Sequence, residues 1–181
     1  MLKDIDSSLP ARIALVHEWF TPRSRGGSEI VAKSIDNVLF ELNRKADLFA
    51  LVDGESKRED SWLFGRSLET SFIQNFPFGS TSVQKYLPLL PFAIEQINLD
   101  SYPLVISSSH LVAKGVLTSP DQLHVSYIHT PVRYAWDQMN IYMKHSKFLI
   151  PGLDSFVRWQ LHNLRQWDQL SSSRVDHFVA N

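Results

Sequence analysis

The chain has 181 residues, 44% of them hydrophobic, with 18 Lys+Arg against 19 Asp+Glu and a formal net charge of −1. That is a globular profile, long enough for one domain that buries about 70% of its unfolded surface, and it lacks the basic excess of a nucleic-acid binder. There is no cysteine, which excludes disulfide scaffolds, thiolate zinc sites, CxxC redox centres and Cys nucleophiles. The first residues, MLKDIDSSLPAR, have no apolar core segment or cleavage site and do not read as a signal peptide. The apolar stretch Tyr86–Ile94 is too short to span a bilayer and carries two prolines. The expected location is therefore cytoplasmic, with peripheral contact on an inner membrane face left open.

Ala11–Val16 (ARIALV) reads as a buried parallel strand, followed by the loop HEWFTPRSRGG. A helix is expected from Ser28 as N-cap, with Glu29 favourable at the positive end of its dipole. Ile30, Val31, Ile35, Val38 and Leu39 form its apolar face. Asp47–Val52 (DLFALV) is a second strand, DGESKRED a surface loop, Ser71–Gln74 a weak third strand and Asn75–Gly79 a turn. Thr81–Ile97 reads as helical pieces broken by Pro88 and Pro91.

Leu104–Ser107 is the next strand, followed by a Ser-rich turn and a short helix near Leu111–Leu117. After the turn Ser119–Gln122, His124–Ile128 is a strand that HTPVR ends, and Arg133–His145 looks helical. Gly152–Leu170 is the clearest helix, with Leu153, Phe156, Val157, Leu161, Leu164 and Trp167 as its apolar stripe. Arg158, His162, Arg165 and Gln169 lie on its other side. Val175–Ala180 is the last strand.

Strand and helix alternate, which predicts an α/β fold: a doubly wound, mostly parallel Rossmann-like sheet with helices on both faces, in one domain over residues 1–181. Ligands of such sheets bind beyond the carboxyl ends of the strands, near the switch between strands 1 and 4. Three loops converge there: His17–Gly27, Ser107–His110 and His129–Asp137.

In the first loop, Gly26 and Gly27 precede a helix N-terminus. They either let backbone N–H groups approach a phosphate or serve a turn needing φ > 0. In the second, Ser107, Ser108 and Ser109 either hydrogen-bond a ligand or satisfy a turn. In the third, His129 stands at a strand end before Pro131 and can exchange a proton near neutral pH, or is a structural histidine at the sheet edge. Arg133, Tyr134, Trp136 and Asp137 read as a basic and aromatic wall for sugar rings and phosphate, with Arg133 and Asp137 also spaced to pair on a helix. Trp159, on the flank of the long helix near Arg158 and Arg165, is expected at the surface, with a partner or membrane contact as one reading. The seven His show no metal-ligand spacing, and no Walker loop, GxGxxG or GxSxG occurs.

The strings RIALVHEWF…GGSE, LVISSSHLVAKGV and HVSYIHTPVRYAWD together resemble the N-terminal domain of family 4 glycosyltransferases, in the mannosyltransferase-like branch used in polysaccharide assembly. The resemblance runs from about Ala11 to Asn181. It implies the GT-B architecture, two Rossmann-like domains across a cleft, with retaining transfer of a hexose such as mannose to a glycan or lipid-linked sugar. The donor would be a nucleotide-sugar such as GDP-mannose, with no metal required. It places Gly26 and Gly27 at the donor phosphates and His129 at the reaction centre. Ser108, Ser109, Arg133, Trp136 and Asp137 fall on the acceptor side, and so does Glu18, which stands where relatives carry Asp.

In the family, FVAN leads into a second, donor-binding domain. The 181 residues are therefore expected to be the acceptor half, inactive alone and partnered by a C-terminal GT-B domain or a separate chain. Nucleic acid is not an expected partner. The competing expectation is a non-catalytic Rossmann-like module that binds a glycan or a protein. A dinucleotide oxidoreductase lacks its fingerprint.

Overall fold

The computed structural model describes residues 8–22, 26–130, 132, 135–137, 139 and 153–180. Six parallel strands form one sheet: β1 (Ile13–Phe20), β2 (Ala46–Asp53), β3 (Leu68–Thr70), β4 (Leu104–Ser109), β5 (Leu123–Ile128) and β6 (His177–Ala180). Their spatial order is β3-β2-β1-β4-β5-β6, the doubly wound order with its switch between β1 and β4. Among the described residues, three helices longer than a single turn cover the sheet: α1 (Gly27–Glu41), α2 (Leu90–Glu95) and α3 (Leu153–Ser172). The predicted fold class holds.

Strand period sorts the core into two layers. Ile13 and Leu15 pack with Ala32 and Leu39 of α1 and with Leu48 of β2. Ala14 and Val16 face the opposite layer, built with Leu90, Ala93 and Ile94 of α2 and Leu161 and Leu164 of α3. Each fully buried Val, Leu or Ile side chain contributes roughly 1.5–3 kcal/mol.

Several local expectations are corrected. β1 does not stop at Val16: it runs on through His17, Glu18, Trp19 and Phe20, all buried, because it lies between β2 and β4 and Trp19 and Phe20 still pair with β2. β4 likewise includes Ser108 and Ser109, which pair with Tyr127 and Ile128. The third strand is Leu68–Thr70, and Phe72–Asn75 is a 3-10 turn whose N-cap Ser71 accepts from the Ile73 N–H. The helix expected near Leu111–Leu117 is only a 3-10 turn, Ala113–Gly115.

The N-cap of α1 is Gly26, two residues before the expected Ser28, with no side-chain cap. Its buried face is Glu29, Ala32, Asp36 and Leu39, while Ile30 and Val38 are exposed. The face is turned because Asp36 goes inward to a bidentate pair with Arg66 (2.8 and 3.1 Å).

The pieces between β3 and β4 are broken as expected: a single helical turn Gly79–Ser82, a 3-10 run Val83–Leu89 containing Pro88, then α2 with proline in its first turn. In α3, Leu161 and Leu164 are buried and Phe156 is half exposed; the side chain of Leu153 lies outside the described residues. Trp159 is exposed, as predicted. Most of the predicted helix Arg133–His145 lies outside the described residues.

Candidate functional site

The carboxyl ends of β1, β4 and β5 bring together His17, Glu18, Ser108, Ser109, His110 and His129. Glu18 is the organising group. The turn after β4 curls four successive N–H groups, from His110, Leu111, Val112 and Ala113, onto its Oε1 at 2.9–3.2 Å. The Ser109 hydroxyl donates to the same oxygen at 3.0 Å. Such a concave run of amides is an anion nest, filled here by a side chain of the protein itself. Glu18 has no exposed surface, so it touches no ligand and acts by positioning the β4 turn. That differs from its expected place on the acceptor side.

The other Glu18 oxygen, Oε2, lies 3.0 Å from His110 Nδ1 and 3.7 Å from His17 Nδ1. Burial alone would raise the Glu18 pKa, but His110, His17 and the Ala113 N–H outweigh it and hold the carboxyl far below the usual range. His17 Nδ1 faces the Ser108 carbonyl at 2.9 Å, an acceptor only, so this nitrogen carries the hydrogen. Burial depresses His17 to about 4 against the pull of Glu18, so it is neutral near pH 7. His110 moves the other way: burial lowers its pKa, but the charge and contact of Glu18, helped by Glu29, raise it overall.

The three serines divide. Ser107 bonds His124 Nε2 (2.9 Å) and donates to Ser126 (2.8 Å) inside the sheet. Ser109 is taken by Glu18 and by the Lys114 N–H. Ser108 Oγ lies 2.8 Å from His129 Nε2. His129 is half-buried, and burial lowers its pKa despite the opposing charge of Glu18, which leaves a neutral imidazole at the sheet edge. Ser108 and Ser109 both lie at the carboxyl end of β4 and both have protein partners.

Gly26 is extended (φ −152°), and the one glycine with positive φ among the described residues is Gly65, so the φ > 0 explanation of Gly26 and Gly27 fails. A Cβ at Gly27 would meet nothing within 4 Å, so a side chain there has room.

Gly26 lines a cavity of about 290 Å³ with Phe20, Glu29, Lys33, Glu55 and Trp62. Trp62 stands edge-on to Phe20 (5.8 Å, 82°). The buried Glu55 is not expected from the sequence because DGESKRED reads as solvated, and Trp62 stands just beyond that polar run. The signal was Asp53, whose carboxylate accepts from the N–H groups of Glu55 and Ser56 and folds the loop back. A second cavity, of about 200 Å³, is lined by His110, Lys114, Thr130, Asp168 and neighbours.

Trp136 is half exposed, and its ring is anchored at one edge. Its indole N–H donates to Asp168 Oδ2 (2.9 Å), and Lys114 pairs with Asp168 Oδ1 (2.9 Å). Asp137 is exposed, and Arg133 and Tyr134 lie outside the described residues.

His17, Glu18 and His110 offer ligand atoms within 4.8 Å of one another, a grouping that sequence spacing did not reveal. The nearest nitrogen of His17 already donates to Ser108, and Glu18 Oε1 is saturated. Among the described residues these groups form a carboxylate–imidazole network centred on Glu18. No described helix is long and apolar enough to cross a membrane. No family model, curated protein or solved structure matches the chain.

Proposed function

We propose that the chain is the acceptor-binding half of a retaining hexosyltransferase. It would use a nucleotide-sugar such as GDP-mannose and extend a glycan or lipid-linked sugar, as the resemblance of its three motifs to family 4 glycosyltransferases implies. The observation that carries this reading is the placement of His129. It sits at the carboxyl end of β5, hydrogen-bonded to Ser108 at the end of β4, beside the topological switch where α/β sheets bind ligands. A neutral imidazole held there can accept a hydrogen bond from a sugar hydroxyl.

The cavity beside the Gly26 loop supports the same reading. Its aromatic wall, Phe20 and Trp62, and its carboxylates, Glu29, Glu55 and Asp60, combine apolar faces with hydroxyl acceptors, which suits a polyol ring. In this account the donor-binding half is a second Rossmann-like domain, on the same or another chain. It closes over the site and supplies the groups that stabilise the leaving nucleotide.

The test is a transfer assay with a nucleotide-sugar donor and a lipid-linked or glycan acceptor. The 181 residues alone are expected to give no donor-dependent transfer, and transfer is expected once the donor half is supplied. Ordinary turnover by these residues alone, or none with both folded halves present, would overturn the proposal.

A further inference from the structure

We propose that the turn at residues 76–79, with Phe92 of α2 beside it, is a membrane-docking surface: Phe78 enters the interface of an anionic lipid bilayer and Lys85 meets its phosphates. The argument begins with a surplus of apolar side chains. Between β3 and β4, Ile73, Val83, Leu90, Ala93 and Ile94 take the inward positions in the core. Phe76, Phe78, Leu89 and Phe92 stay outside it, and Phe78 is 70% exposed. Ring contacts join this surplus into one patch: Phe92 to Phe72 (5.8 Å), Phe72 to Phe76 (5.5 Å) and Phe76 to Tyr86 (5.3 Å). The Tyr86 hydroxyl donates to the Pro77 carbonyl (2.5 Å), next to Phe78.

Phe78 is held outward under strain. Its backbone is left-handed (φ 58°, ψ 17°), a conformation that bulky side chains avoid. Among the described residues, the other non-glycine with positive φ is Asn43, a type that tolerates it. The turn is fixed from beneath, where a Cβ at Gly79 would lie 2.0 Å from the Ile73 carbonyl oxygen. Folding alone is served better by Asn or Gly at position 78, so a strained, exposed aromatic there points to a contact outside the chain.

Charge selects the occupant. Among residues 71–94 the single charged one is Lys85. It is exposed, with its ammonium 5.4 Å from the centre of the Phe78 ring. Glu95, the next residue, is bonded to Trp167 and Arg174. Protein interfaces are depleted of lysine, whereas exposed Phe and Leu with lysine, and no carboxylate among them, suit the headgroup region of an anionic bilayer. The Trp159 flank of α3 lacks this balance, because Arg158 there is paired with Asp154 (2.9 Å). This inference stands apart from the sugar-transfer reading, and failure of either leaves the other in place.

Co-sedimentation of the full chain with phosphatidylcholine vesicles, with and without phosphatidylglycerol, tests it. The chain is expected to bind about fivefold more tightly when phosphatidylglycerol is present, the effect of one lysine at an anionic surface. Lys85→Gln is expected to lose that preference. Phe78→Asn is expected to weaken binding about tenfold or more, while thermal stability holds or rises because Asn accepts the left-handed turn. Phe92→Ser carries the same expectation of weakened binding if Phe78→Asn does not fold. No binding, equal binding to the two vesicle types, or binding unchanged in Phe78→Asn would overturn the proposal. Self-association that Phe78→Asn abolishes, without vesicle binding, would give the patch to a second copy of the chain and overturn it too.

Discussion

Glu18 shows how one side chain can set the shape of a site without touching a ligand. It fixes the turn after β4 by giving four amide hydrogens and one hydroxyl a common acceptor. Glu18→Ala leaves those donors buried without a partner and is expected to cost about 3–5 kcal/mol. Urea denaturation measures this, and a loss below about 1 kcal/mol would show that the turn holds itself.

His17 makes a second expectation at this scale. Its folded pKa is lowered from 6.5 to about 4, so between those values the unfolded chain binds a proton that the folded chain does not. Stability then falls as pH drops from 6.5 to 4, by up to about 1.4 kcal/mol per pH unit and on the order of 3 kcal/mol in total. His110, with its raised pKa, has the opposite sign: its contribution is complete below 6.5 and is lost as pH rises through its folded value. His17→Asn is expected to flatten the slope between pH 4 and 6.5 in denaturation curves. An unchanged slope would assign the acid loss to other groups.

At the scale of elements, the errors of sequence reading share one cause. HEWF looks like a loop because His17 and Glu18 are polar, yet both are satisfied by groups about ninety residues away, at Ser108 and at 110–113. Periodicity within a short window carries no trace of such partners. α1 is misread in the same way: its apolar pattern favours Ile30 and Val38, but the Asp36–Arg66 pair, thirty residues apart, turns the helix. Stretches that pack mainly through apolar side chains, such as Leu48–Val52 of β2 and the Leu161–Leu164 face of α3, are legible because apolar burial leaves a local pattern.

The docking of α3 offers a test at this scale. Gly115, in the turn after β4, lies against the Trp167 indole, and a Cβ there would overlap the ring. That ring cannot swing aside freely, since its N–H donates to Glu95 (2.8 Å), which also pairs with Arg174 (2.9 Å). Gly115→Ala is expected to cost about 1–3 kcal/mol by overpacking, read from thermal or urea denaturation. No loss would mean that α3 is held more loosely than its contacts indicate.

For the whole molecule, the alternation of apolar runs with helical segments is enough to predict the doubly wound parallel sheet, whose order is β3-β2-β1-β4-β5-β6. The convergence of three loops at the β1–β4 switch follows from that order, so His129 and Ser108 were correctly brought to one edge. The acidic cavity at Phe20 and Trp62 and the His17–Glu18–His110 network were not legible. Each is assembled by the sheet from segments that look unremarkable alone.

The central claim is that this edge is the acceptor side of a sugar-transfer site with His129 at its centre. It is tested most directly by turnover of a nucleotide-sugar donor in a two-domain enzyme carrying this chain, unmodified and as His129→Ala, with thermal stability measured alongside. The account predicts a fall in turnover of about 10²-fold or more with little change in stability. Turnover that persists, or a variant that unfolds instead, would contradict it and make His129 a structural residue of the sheet edge.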